Sequence, residues 1–266
     1  MSIWLALLLG IVQGLCEFLP VSSSGHLLLI QRLFGARAEG SAFFTVMLHI
    51  ATLAAVCIVY RKLLLELIKK PFQRLVYMLV LATLPTVIFT LILKKFFAAV
   101  YYDAEDGAFL GVAFMMTAVF LLICDTLMQR TANRRGLKAI GVKDALIIGG
   151  MQCVGIFPGV SRSGSTITGA AITGLDRKAA ADFSFLMSIP AILGGAVLEA
   201  KDAISTGSIG VSVPALLVGM LAAGVTGYFA VRFMLRLITK RRLWGFAVYT
   251  AALGIVVTVL SLLQKI

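Results

Sequence analysis

Six long apolar runs, at about 42–60, 75–93, 108–127, 183–200, 212–231 and 243–264, alternate with short polar stretches along the chain. Each run approaches or exceeds the roughly 18–20 residues that a helix needs to cross a bilayer, so the pattern predicts six transmembrane helices. Two further regions, 1–34 and 143–175, are apolar at both ends and polar in the middle. Residues 1–12 would rise only about 18 Å as a helix against a hydrocarbon core of about 30 Å, and Pro20 with its following serines interrupts the helix before it resumes at 24–34. A half-helix, a turn and a second half-helix read as a re-entrant hairpin, which is tolerated at depth only where it is buried in protein or lines a wet cavity.

The two halves are copies. Adding 139 to the residue number carries Gly10 to Gly149, Gln13 to Gln152, Phe18 to Phe157, Ser22 to Ser161, Ser24 to Ser163 and Gly25 to Gly164 without a gap. The same offset pairs Phe44 with Phe183 and Ile50 with Ile189. The expected organisation is a single membrane domain, 1–266, with repeat 1 at about 1–139 and repeat 2 at about 140–266. Each repeat holds one re-entrant hairpin and three transmembrane helices. Three crossings is an odd number and a hairpin returns to its own side, so the second copy enters the membrane upside down: an all-α inverted repeat.

Charge orients this fold. The stretches 61–74, 128–143 and 232–242 each carry five Lys or Arg, and all three fall on one side of the predicted topology, which the positive-inside rule makes the cytoplasm. The opposite loops hold Asp103, Glu105 and Asp106, and Glu199 and Asp202. The first hairpin then enters from the outside and the second from the cytoplasm, with their tips meeting near mid-membrane. The N-terminal segment has no basic leader and no small-residue cleavage pattern, so it is expected to stay in the mature protein.

Composition narrows the function classes. A chain of 266 residues that is 60% hydrophobic, with a mean hydropathy of +1.01, is a polytopic membrane protein. Its net charge of +12 sits in short clusters between apolar runs, which fits anionic lipid and excludes nucleic acid as a partner. Cys16, Cys57, Cys124 and Cys153 lie in apolar surroundings without metal-ligand spacing and read as small core residues. Asp125, Asp144, Asp176 and Asp182 fall near segment ends and read as caps or solvated termini.

The candidate chemistry lies in QGLCEFLPVSSSGH, residues 13–26, and PGVSRSGST, residues 158–166. A charge at bilayer depth costs roughly 2.5–3.5 kcal/mol even on the lenient insertion scale, so such residues mark a site. After each proline the backbone restarts as a helix that Ser22 or Ser23, and Ser161 or Ser163, are suited to cap. Its unpaired N–H groups favour anions. Arg162 between two such starts would grip two phosphate oxygens at once, and Gly25, Gly159 and Gly164 would let backbone approach the ligand closely.

Glu17 and His26 supply acid–base capacity. The carboxylate can bind a cation or take a proton from water, and the histidine or the Ser23 hydroxyl can attack phosphorus. Ser22 or Ser23 can share a helix face with His26, and the pattern does not choose between them. The blander alternatives are a structural carboxyl at Glu17, a helix-bonded His26, a snorkelling or assembly-paired Arg162, serines as packing glue, and structural hydrogen bonding for His49.

The paired motifs resemble the undecaprenyl-diphosphate phosphatase family of bacteria, the membrane phosphatase of bacitracin resistance. Gln13 and Glu17 match its Glu/Gln-x-x-x-Glu pattern. Pro158, Gly159, Ser161, Arg162, Ser163 and Thr166 match its Pro-Gly-x-Ser-Arg-Ser-x-x-Thr pattern. The resemblance runs the length of the chain. It implies a plasma-membrane hydrolase, open to the outer side, that removes the terminal phosphate of a C55 polyprenyl diphosphate and so recycles the lipid carrier of cell-wall synthesis.

It also implies a magnesium or calcium cofactor and catalytic roles for Glu17, Ser23, His26 and Arg162. Gln13, Ser22, Ser24, Gly25, Ser161, Ser163 and Thr166 would bind the diphosphate. Some relatives carry glutamate where this chain has Gln13, which leaves Glu17 to hold the metal alone. A homodimer is compatible with the glycines from Gly219 to Gly227. The rival class is a secondary transporter or lipid flippase, since carriers use the same broken-helix repeats.

Overall fold

The computed structural model describes residues 1–34, 41–92, 108–130, 134–206 and 211–263. Their regular structure is helical, apart from one isolated bridge between Arg135 and Leu175. In the first half run α1 (Ile3–Phe18), α2 (Ser23–Leu33), α3 (Ser41–Val59), α4 (Arg61–Lys69), α5 (Arg74–Ile92) and α6 (Ala108–Arg130). In the second, a 3₁₀ turn (Leu137–Ala139) precedes α7 (Val142–Val154), α8 (Arg162–Ile172), α9 (Arg177–Thr206), α10 (Val213–Lys240) and α11 (Trp244–Leu262). The offset of 139 carries the first residues of α1, α2 and α5 onto those of α7, α8 and α10. The acidic loop at 103–106 lies outside the described residues, as do the side chains of Glu199 and Asp202 on α9.

Helices α5, α6, α9, α10 and α11 are long and apolar enough to cross a membrane, and α3 joins α4 through an 82° bend at Tyr60. The protein is a multi-pass membrane protein. Their outward faces carry exposed Val80, Ile88, Leu122, Leu217 and Val256, which suits lipid contact. Three extents differ from the hydrophobic pattern. α9 and α10 overrun the segments expected at 183–200 and 212–231, and most of the expected loop 61–74 is helix. Arg232, Arg236 and Lys240 therefore ride the last turns of α10. Arginine and lysine are good helix formers whose stems lie along apolar surface, and Arg232 bonds back one turn to the Tyr228 hydroxyl at 2.8 Å.

The basic stretches gather at one end of the molecule. Arg74 donates to the Ile140 carbonyl at 3.0 Å, and Arg177 to the Arg241 carbonyl at 3.0 Å. Asp144 and Asp176 cap helix starts by accepting from Gly141 N–H at 2.8 Å and Ala179 N–H at 2.7 Å. Asp182 and Asp125 depart from the solvated reading. Both are buried, Asp182 holding Tyr60 and Lys178, and Asp125 lying 3.7 Å from Arg177.

The two halves pack by exchange. α1 lies along α10 and α7 along α5, so the leading helix of each hairpin seats on a helix of the other copy, while α6 lies along its own counterpart α11. Glycine closes these seams. A Cβ on Gly10 would overlap the Gly219 carbonyl, one on Gly14 the Thr226 hydroxyl, and one on Gly149 the Ala82 carbonyl. The stripe from Gly219 to Gly227 is spent inside the protomer: Gly219 faces Phe44, and Gly227 faces Phe18, Thr52 and Ala55. Beneath the hairpins, Phe18 meets Phe185 edge-on at 5.7 Å within the main core.

Gly14→Ala should therefore destabilise the protein by about 1–3 kcal/mol through overpacking. Gly194→Ala, with open space around it on α9, should be neutral or gain about 0.5–1 kcal/mol. Thermal unfolding in detergent reads both, and equal midpoints for the two variants would deny the seam its role.

Candidate functional site

Proline ends α1 because the residue before it is driven out of helical geometry. Leu19 is accordingly extended, Val21 N–H turns back to the Leu19 carbonyl at 2.8 Å, and Ser22 takes φ +71°. Ser22 then caps α2, its hydroxyl accepting from Gly25 N–H at 3.3 Å. The second hairpin repeats the plan: Pro158, Gly159 at φ +86°, and Ser161 capping α8 by accepting from Gly164 N–H at 3.1 Å.

The two turns touch. Gly159 N–H donates to the Ser24 hydroxyl at 3.4 Å, and Ser163 donates to the Leu19 carbonyl at 3.3 Å. A Cβ on Gly25 would stand 2.6 Å from the Phe114 ring and 3.0 Å from Gly159 Cα, which is why the contact requires glycine. Ser161 N–H, freed by the turn, finds Thr117 Oγ1 on α6 at 3.0 Å.

Glu17, on the last turn of α1, collects the chemistry. Its Oε1 accepts from Arg162 Nη2 at 2.7 Å. Its Oε2 accepts from Ser23 Oγ at 2.8 Å and Gln13 Nε2 at 3.0 Å. His49 Nε2, on α3, stands 3.6 Å from the same Oε2. The Glu17 side chain is 5% exposed and that of Arg162 16%, so this is an ion pair largely withdrawn from solvent. Two atoms stay uncommitted: Arg162 Nη1 and Gln13 Oε1 are buried without a hydrogen-bond partner. A desolvated guanidinium using half of its fork is a seat for a second anion, because its remaining donors are costly to leave unmet.

His26 faces elsewhere. Its Nδ1 lies 2.7 Å from the Ser22 carbonyl, which can only accept, so Nδ1 carries the proton. In the neutral ring Nε2 then accepts from the Tyr249 hydroxyl on α11 at 2.7 Å, with the two rings nearly parallel at 5.7 Å. Phe114 meets the imidazole edge-on at 5.2 Å.

Of the residues singled out in the sequence, Gln13, Glu17, Ser23 and Arg162 form one cluster. Ser22 and Ser161 are caps, and Ser24, Gly25 and Ser163 join the turns. Thr166 sits fully buried one turn behind Arg162, bonding the Arg162 carbonyl at 2.9 Å and the Ser184 hydroxyl at 2.6 Å, so it stiffens the turn. No hydrogen bond links the His26 ring to Ser23 or Glu17 among the described residues.

Sequence reasoning missed Thr117 and Tyr249, which lie in plain apolar helices without local signal. It read His49 as structural. The bond from Nδ1 to the Thr45 carbonyl at 2.8 Å has that character, but the far nitrogen reaches Glu17. The duplicate positions also diverge: Ile156 stands where the first copy has Glu17, Arg162 where it has Ser23, and Ser165 where it has His26. One copy supplies the carboxylate and the other the guanidinium.

Residues 6–256 match the family described as bacitracin resistance protein BacA. The chain is 41% identical over 267 residues to an undecaprenyl-diphosphatase of Carboxydothermus hydrogenoformans, covering all of both chains. It is 42% identical over 259 residues to undecaprenyl-diphosphatase 4 of Bacillus thuringiensis strain Al Hakam, covering 97% of each. An undecaprenyl-diphosphatase of Alkaliphilus metalliredigens is 36% identical over 281 residues, covering 99% of this chain and 100% of its own.

The His26 assignment is testable by ¹⁵N NMR of the histidine ring. Tyr249→Phe keeps the stack and removes the donor. The Nε2 signal should move toward that of an unbonded acceptor, Nδ1 should stay protonated, and stability should fall by about 0.5–1.5 kcal/mol. An unmoved Nε2 signal would contradict the bond.

Proposed function

The chain belongs to the bacitracin resistance protein BacA family, and on that membership and the cluster around Glu17 we propose that it hydrolyses undecaprenyl diphosphate to undecaprenyl phosphate and inorganic phosphate. The observation that carries the reading is Arg162. It stands on the first turn of a serine-capped helix, bound to Glu17 through one nitrogen, with the other buried and unmet. The terminal phosphate enters at the converging starts of α2 and α8, where Arg162 Nη1 and backbone N–H groups bind its oxygens.

Ser23 is the group best placed to attack. It is partly exposed, and its proton already points at Glu17 Oε2. Glu17 takes that proton as Ser23 Oγ bonds to the terminal phosphorus, the anhydride P–O bond breaks, and undecaprenyl phosphate leaves. Glu17 passes that proton to the departing phosphate. Water then cleaves the serine ester, Glu17 taking a proton from the water as its oxygen bonds to phosphorus and returning it to Ser23 Oγ as inorganic phosphate leaves. Arg162 meets the negative charge that spreads over the transferring group. With both ring nitrogens of His26 engaged, its part is to hold Ser22 and so the tip of the first hairpin.

A divalent cation fits the donor set. The buried unmet Gln13 Oε1 and the Glu17 carboxylate are hard oxygen donors, although no group of three or more His, Cys, Asp or Glu gathers among the described residues. Magnesium or calcium held by Gln13, Glu17 and substrate oxygens would neutralise charge on the diphosphate. The exchanged packing and the odd number of crossings per copy support an inverted repeat. With the basic end in the cytoplasm of a bacterial plasma membrane, the first hairpin and its site open to the outer side.

The same exchanged halves suit a carrier for polyprenyl phosphates, the second reading. Purified protein in detergent with undecaprenyl diphosphate separates the two, since no compartments exist there. Arg162→Ala and Glu17→Gln should each lower phosphate release by about 10²–10³-fold. Near-normal release by either variant would remove the hydrolytic assignment, and absent release by the unmodified chain with lipid movement in vesicles would install the carrier.

A further inference from the structure

The bend at Tyr60 turns α4 by 82° from α3, which brings α4 close to the membrane plane if α3 crosses the bilayer upright, as its sequence predicts. At the offset of 139 the second half shows no such break among the described residues: α9 runs on as one helix through 200–206. Tyr60 is buried at the corner, its hydroxyl donating to Asp182 at 2.8 Å, and Asp182 is held in turn by Lys178.

Around α4 the residues divide three ways. Leu67 is buried, and Leu63 and Leu64 pack on the core. Leu65 and Ile68, with Phe72 just beyond the helix, form an apolar edge that leaves the protein, 56%, 73% and 84% exposed. Lys62, Lys69 and Lys70 follow on the next arc, and their ammonium groups have no ion-pair or hydrogen-bond partner among the described residues. A shallow hollow lined by Lys62, Leu65, Glu66, Lys69 and Lys70 runs along that border. Apolar side chains below a row of ammonium groups, on a helix in the plane, match the depth profile of a phospholipid leaflet.

We infer that α4 is an interfacial binding site for anionic diacyl phospholipid, with Leu65, Ile68 and Phe72 among the acyl chains and Lys62, Lys69 and Lys70 on the headgroup phosphates. The occupant is set by charge: three unpaired ammonium groups face one carboxylate, Glu66, which disfavours a zwitterionic surface relative to an anionic one. Because α3 carries His49 to Glu17, the lipid contact also fixes the depth of one wall of the site.

Phe72→Trp in a Trp4→Phe/Trp244→Phe background places one fluorophore at the end of α4 in the intact protein. In phosphatidylcholine nanodiscs, brominated phosphatidylglycerol should quench it at concentrations at least about tenfold below those of brominated phosphatidylcholine. Lys62→Gln/Lys69→Gln/Lys70→Gln should abolish that preference while leaving phosphate release in detergent unchanged, which also shows that the variant folds. Equal quenching by the two lipids in the lysine-bearing protein, a preference that survives the triple substitution, or no quenching by either lipid would each overturn the inference.

Discussion

The contact on which the structure turns is the ion pair between Glu17 and Arg162. Both side chains are largely withdrawn from solvent, and removing one partner of a buried pair typically costs about 3–5 kcal/mol because the other is stranded. The two residues stand 145 positions apart, on hairpins of different halves, so the pair closes only when both turns are formed and touching. The hydrogen bonds of Ser24, Gly159, Ser163 and Leu19 set the backbone distance at which a carboxylate from α1 and a guanidinium from α8 meet at 2.7 Å. The pair leaves binding capacity in reserve, since Arg162 uses one of its two terminal nitrogens there.

Much of this was legible in the sequence because lipid punishes backbone and charge so severely. Polar residues inside apolar runs located both turns, proline and serine located the helix restarts, and one constant offset carried the first half onto the second. The cluster of Gln13, Glu17, Ser23 and Arg162 follows from motifs whose members are local or related by duplication. What was hidden depends on pairing between distant helices. Tyr249 and Thr117 are single polar atoms on uniformly apolar stretches, and only the fold brings them to His26 and Ser161. The reach of α10 through Arg232 to Lys240, and the corner at Tyr60, escaped for another reason. Basic residues mark the end of the hydrocarbon, and helices continue past it wherever propensity permits.

Duplication has been used here for division of labour. Both copies keep the serine cap and the glycine that follows it, the parts that make a helix start receptive to anions. Only the first keeps a carboxylate and a histidine, and only the second places an arginine at the first helical position. Ile156 at the position equivalent to Glu17 means that the fold has two related turns and, among the described residues, one carboxylate–guanidinium pair between them.

The exchange of packing between halves bears on how the protein is made. α1 has its glycine seam matched to α10, and nearly two hundred residues separate them. At ribosomal speeds of about 5–20 residues per second, the first hairpin waits roughly 10–40 s for its mate to emerge. Throughout that interval a glutamate, a histidine and a run of serines must be sheltered by something other than their final neighbours. Biogenesis of this chain is therefore a late, concerted docking of two halves, and its vulnerable species is the half-synthesised nascent polypeptide.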